Sequence, residues 1–204
     1  MTISFSSNTS FSFISFFSSI NLKHLATSIK GTKLLICLPP ANSFSVHRQI
    51  IEGQNLQQLA YGTSSAKSLT LSFWVKSNVT GTAVASLYSI DSNKQIGQTY
   101  TIDATNTWEY KTISISGNTL GAPANDNGAG IRVSFILAAG TDYNDGTSRT
   151  SWESYGAAKF GSGHVQNGVM TTLNATFYIT GVQLEIGETA TPFEHRSFGD
   201  ELAR

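Results

Sequence analysis

Hydrolysis of a glycosidic bond needs two carboxyl groups about 5 to 9.5 Å apart, one donating a proton and the other acting as base or nucleophile. Asp142, Asp145 and Glu153 are close enough along the chain to be weighed for those roles. They sit in a stretch from Gly140 to Thr172 with six glycines and the aromatics Tyr143, Trp152, Tyr155 and Phe160. Acids are commonplace in such loops, and no catalytic residue is assigned. His24, His47, His164 and His195 are scattered, and neither His-Glu-x-x-His nor Gly-x-Ser-x-Gly occurs. Glu194-His195-Arg196 reads as locally paired surface charge. Gly128-Ala129-Gly130 leads into a strand pattern rather than a helix, so it is no phosphate loop. The single cysteine, Cys37, permits no intrachain disulfide and no cysteine-ligated zinc site; in Leu34-Leu35-Ile36-Cys37-Leu38 it reads as a small buried hydrophobe. Asp142, Asn144 and Asp145, or Asn125, Asp126 and Asn127, offer the hard oxygens that calcium takes. Neither run has the EF-hand spacing, so both read as turns and no cofactor is expected.

The elements that must position these groups follow a period of two. In Leu69 to Lys76, Leu69, Leu71, Phe73 and Val75 share one face, while Thr70, Ser72, Trp74 and Lys76 share the other. This is a half-buried strand with a tryptophan on its more polar side. Ile131 to Leu137 and Lys111 to Ser116 alternate in the same way, and Phe44 to Ile51, Thr82 to Ile90, Gln95 to Ile102 and Asn174 to Ile186 are further strand candidates. In the last, Phe177 and Ile179 share one phase and Val182, Leu184 and Ile186 the other, which predicts a bulge near Thr180-Gly181. Turn-forming clusters separate the runs, and no useful stretch has the helical period. The pattern predicts an all-β chain folded as an antiparallel jelly-roll β-sandwich over 44–196. Ser197 with acids behind it predicts the start of a C-terminal helix over 197–204. Trp74 and Trp108 lie in or beside regular strands and are read as packing residues.

Residues 1–43 are of another kind and are expected to be irregular. From Ile3 to Ile20 five phenylalanines are interleaved with eight serines and no charge. The first lysine, Lys23, is on the wrong side of this run for a secretory signal, and the run is too rich in hydroxyls to span a membrane. Residues 1–50 contain no acid, whereas 51–204 carry 9 basic and 13 acidic side chains. The resulting zero net charge, with only 13% charged residues, argues against nucleic-acid and membrane partners. An aromatic content of 11% argues against disorder.

Ile51-Glu52-Gly53-Gln54-Asn55-Leu56-Gln57, Lys67 to Ser77, Thr107 to Ile113 and Leu137 to Gly140 resemble a family of bacteriophage tail-fibre and virion structural proteins. The most specific part is Ile179-Thr180-Gly181-Val182-Gln183-Leu184-Glu185-Ile186-Gly187, followed by Ala190 to Ser197. The strand from Phe73 to Lys76 and the Trp108 segment are also similar to jelly-roll carbohydrate-binding modules. The resemblance covers the chain from near Phe44 onward, and relatives continue past the position that Arg204 holds. It implies a non-enzymatic domain of the virion, in the phage tail, that forms a homotrimer, meets other tail or fibre proteins, and touches host-surface glycan. Sugars offer flat apolar faces and hydroxyl edges, so a glycan site wants aromatics beside polar groups. Trp152, Tyr155, Tyr143, Asn144, Asp145 and Arg149 have that composition within one loop and are the expected carbohydrate-binding residues. The alternative for Trp152 is a plug in the end of the sandwich. A purely structural spacer, and an enzyme using Asp142 or Asp145, are the alternative functions.

Overall fold

The computed structural model describes residues 10–12, 18–21, 41–163, 172 and 174–193. Among the described residues there are ten strands, the seven long ones built on alternating apolar residues: β1 Ser10–Ser12, β2 Ser18–Asn21, β3 Phe44–Glu52, β4 Leu69–Ser77, β5 Gly81–Ser89, β6 Lys94–Ile102, β7 Glu109–Ile115, β8 Ala129–Ala139, β9 Glu153–Ser154 and β10 Thr176–Ile186. They form two five-stranded antiparallel sheets. In sheet I the order is β1-β10-β4-β7, with β2 following β1 along the same edge of β10; in sheet II it is β3-β8-β5-β6-β9. The seven long strands are the seven predicted from alternation.

Leu69, Leu71, Phe73 and Val75 of β4 are fully buried and meet Phe177, Ile179 and Leu184 of β10 on one side of the core. Leu87 of β5 and Ile131, Val133 and Phe135 of β8 supply the other side. Each such side chain contributes about 1.5 to 3 kcal/mol by leaving water. Phe73 ties the layers together, its ring edge-on to Tyr100 at 5.1 Å and to Phe135 at 4.9 Å. One end of the sandwich is closed by a 3-10 turn, Gly53–Leu59, which buries Leu56 and Leu59. Gly53 is required there: a Cβ on it would lie 2.2 Å from the Ala124 carbonyl oxygen.

The bulge falls where the phase change in β10 demanded it. Thr180 pairs with Trp74 but Gln183 with Ser72, so one extra residue is accommodated, and Gly181 takes the left-handed φ of 58°. Phe177 and Ile179 before the bulge and Leu184 after it therefore all face the core.

The expectation of an irregular segment over 1–43 is corrected at two places. β1 pairs with Gln183–Glu185 and β2 with Thr176–Ile179, together lining the edge of β10. An open sheet edge carries unpaired N–H and C=O groups that accept almost any extended chain, so a Ser/Phe sequence without a strong pattern of its own is drawn into strand. The loop after β8 is structured too. It contains 3-10 turns at Thr141–Tyr143 and Ala157–Lys159, and β9 pairs with β6. Its Phe160 and Tyr143 pack with Val46, Val84, Ile136 and Ala139 in a small second apolar cluster outside sheet II. Cys37, His24, His164, His195, the Glu194-His195-Arg196 run and the expected helix at 197–204 lie outside the described residues. Among those described, no helix is long and apolar enough to cross a membrane.

Candidate functional site

The six residues expected to bind carbohydrate are placed in three different settings. Trp152 is only 9% exposed and belongs to the main core. Its indole N–H donates to the Ser116 carbonyl at 2.6 Å, and its ring stands edge-on to Tyr61 at 5.8 Å. It closes an end of the sandwich, so the plug alternative describes its position and it offers no ring face to a ligand. Tyr143 is half-buried against Phe44, ring centroids 4.8 Å apart. Tyr155, 39% exposed, leans on Tyr88 of β5 at 4.7 Å.

Asn144, Asp145 and Arg149 are occupied in holding the loop. The Asn144 side-chain oxygen accepts from the Gly146 N–H at 3.0 Å, and Asp145 accepts from Thr147 N–H at 3.0 Å and the Ser162 hydroxyl at 2.7 Å. Arg149 bonds Asp145 and lies 3.4 Å from Glu153, which in turn pairs with Lys159 at 2.8 Å. The Ser162 hydroxyl, the Thr147 N–H and the Arg149 charge lower the Asp145 pKa despite some burial. A general acid needs the opposite shift. The other oxygen-rich turn is built alike, with Asp126 accepting from the Gly128 N–H at 2.9 Å.

Exposed aromatics converge elsewhere, on the outer face of sheet I. β4 turns Thr70, Ser72, Trp74 and Lys76 outward because its other phase is fully buried. Register sets Trp74 between Tyr110 of β7 and Thr180 of β10, and Lys76 beside Tyr178. Trp74 is 42% and Tyr110 45% exposed, with ring centroids 5.3 Å apart and planes tilted by 48°. Next to them, the Lys76 ammonium lies 5.2 Å from the Trp108 ring and 5.0 Å from the Tyr178 ring, held by cation–π attraction. The result is a Trp74–Tyr110 pair beside a cation held between Trp108 and Tyr178, on a three-stranded surface.

The same face is closed at its other end. Thr70, Ser72, Gln183 and Glu185 point outward yet are buried. The Glu185 carboxylate accepts from both the N–H and the hydroxyl of Thr191, and Gln183 donates to the Thr191 hydroxyl at 3.2 Å. Thr70 donates to the Gly187 carbonyl at 2.7 Å. Gln183 and Glu185 thus clasp the segment after β10 back over the sheet. The segment runs beside the aromatic patch at Phe193: a Cβ on Gly181 would lie 3.3 Å from Trp74 and 3.9 Å from Phe193.

Reading Trp74 as a packing residue is therefore corrected, and the signal was in the alternation itself, which put Trp74 with Ser72 and Lys76. Tyr110 is likewise out of phase with Ile113 and Ile115. Adjacency of the two rings depends on pairing between residues 36 apart in sequence and was not legible. Among the described residues no group of three His, Cys, Asp or Glu side chains could hold a metal ion. No protein-family model matches the chain, and no curated protein matches it.

Proposed function

We propose that this chain is a non-enzymatic domain of a phage tail-fibre or virion structural protein that binds host-surface carbohydrate through the outer face of sheet I. The observation that carries the reading is the exposed Trp74–Tyr110 pair beside Trp108, Tyr178 and Lys76. Large aromatic rings left in water are costly unless something covers them, and the apolar face of a sugar ring matches a flat aromatic surface. Lys76 and Thr180 beside the rings supply donors for hydroxyl edges. Jelly-roll topology is supported by the strand orders. Four long strands of sheet II run β3-β8-β5-β6, and β10-β4-β7 of sheet I carries the N-terminal strands at its edge. Among the described residues, only β5 and β6 are consecutive strands that pair with each other.

A glycan array with the wild type and Trp74→Ala tests the reading. Binding reduced about tenfold or more by Trp74→Ala, and retained by a stably folded variant in the Gly140–Thr172 loop such as Asn144→Ala, is the expected result. Absence of binding to every glycan, or indifference to Trp74→Ala, rejects it. The second reading, a spacer that assembles with copies of itself as a trimer, is favoured by the same exposed rings. It predicts a sedimentation coefficient that falls when Trp74 is replaced.

A further inference from the structure

Sheet II has an outward face of its own, and its chemistry differs from that of sheet I. Register places Arg48 of β3 opposite Ser134 of β8, then Ser86 of β5 and Gly97 of β6. The next row on the same face is Ile50, Arg132, Tyr88 and Gln95. Arg48 and Arg132 are therefore diagonal neighbours, a separation of about 7 to 8 Å between their Cα atoms. The Arg48 Nε donates to the Ser134 hydroxyl at 3.1 Å, and its guanidinium lies 5.7 Å from the Phe160 ring. The Arg132 guanidinium lies 5.7 Å from the Tyr88 ring, against which Tyr155 leans.

Among the described residues neither arginine has a carboxylate partner. Glu52 of β3, two residues beyond the Ile50 that pairs with Arg132, is the nearest acid along the strands, and its carboxylate accepts from the Gln54 amide at 2.7 Å and makes no ion pair with either arginine; Glu153 of β9, three strands from Arg132, already holds Arg149 and Lys159. Two donors in the row, Arg132 Nε and Gln95 Nε2, are buried with no acceptor. Burial and the facing Arg132 charge both lower the Arg48 pKa, whereas Tyr155 raises it. Like charges side by side with no ion-pair partner repel one another until an anion joins them.

We propose that Arg48 and Arg132, walled by Tyr88, Tyr155 and Phe160, form a second glycan subsite that takes the carboxylate of an acidic sugar residue. The assignment rests on the carbohydrate-binding reading above and specifies its substrate class. A planar carboxylate fits guanidinium forks in a way that a hydroxyl cannot, and Tyr155, free on one side, can cover the apolar face of the ring that bears it. Ser134 and Ser86 keep the row between Arg48 and Gly97 low.

Calorimetric titration of the full chain with oligogalacturonate and with its methyl ester, which removes the charge but keeps the ring, tests this. The expected result is at least tenfold tighter binding of the acid. Arg132→Gln and Arg48→Gln should each abolish that preference, Arg132→Lys should retain part of it, and Trp74→Ala on the opposite sheet should leave the ratio unchanged. Thermal melts establish that each variant is folded, and Arg132→Lys keeps the charge over Tyr88 if Arg132→Gln is unstable. Equal affinity for acid and ester, no affinity for either, or a preference that survives both glutamine variants overturns the acidic subsite. Glycan binding that depends on Trp74 but not on the arginines would leave the carbohydrate reading standing while removing this one. A preference that depends on the arginines but not on Trp74 would keep the subsite and move carbohydrate recognition to sheet II.

Discussion

Trp152 and Trp74 have opposite surroundings. Trp152 fills the end of the core and satisfies its N–H on the Ser116 carbonyl. Trp152→Ala should destabilise the domain by about 3 to 5 kcal/mol, since it opens a cavity and leaves that carbonyl unpaired. Trp74→Ala should cost about 1 kcal/mol or less, because the ring is already half in water. Urea denaturation of the two variants checks the contrast. Glu109 gives a pH-dependent counterpart. Burial raises its pKa, but Lys111 and the N–H groups of Ala104 and Asp103 outweigh that and hold it at about 2, below its ordinary 4.5. A depressed folded-state value means the contribution is fully present above pH 4.5 and fades as pH falls toward 2. Glu109→Gln should therefore cost about 2 kcal/mol at neutral pH and progressively less below 4.5, measured as stability against pH for both proteins.

At the scale of elements, β10 does the most. Its bulge lets one strand supply Phe177, Ile179 and Leu184 to the core, while Gln183 and Glu185, the outward residues of the Val-Gln-Leu-Glu run, hold Thr191. The run from Ile179 to Gly187 is thus a clasp for the segment that crosses sheet I. Thr191→Val keeps the volume but removes the hydroxyl that donates to Glu185 and accepts from Gln183. It should cost about 2 kcal/mol, because a buried carboxylate loses a donor. Limited proteolysis should then cut between Gly187 and Thr191 sooner than in the wild type. The loop after β8 is held by a different device, the chain of ion pairs Asp145–Arg149–Glu153–Lys159, which accounts for residues that by composition alone suited a sugar site. Composition could nominate them, but only their partners reveal what they are used for.

Over the whole molecule, long-range pairing dominates, with β3 beside β8 and β10 beside β4 and both N-terminal strands. β1 and β2 leave β10 without a bare edge along seven of its residues, Thr176–Ile179 and Gln183–Glu185. Removing residues 1–21 should therefore leave the core intact and raise self-association, because the exposed edge is a template for pairing; light scattering at matched concentration measures it. The local sequence did not set β1, β2 and β9, but it already set the seven long strands, their inward phases and the bulge. These rest on the two-residue period of β structure and on the left-handed conformation open to Gly181, both local properties of the chain. It also put Trp74 on a polar face. Tertiary structure alone decided that Trp152 is a plug, that Trp74 meets Tyr110, and that Arg48 and Arg132 are diagonal neighbours with no ion pair among the described residues. Each is a matter of which strands lie side by side and in what register, and period-two alternation says which face a residue takes but nothing about its neighbours on that face.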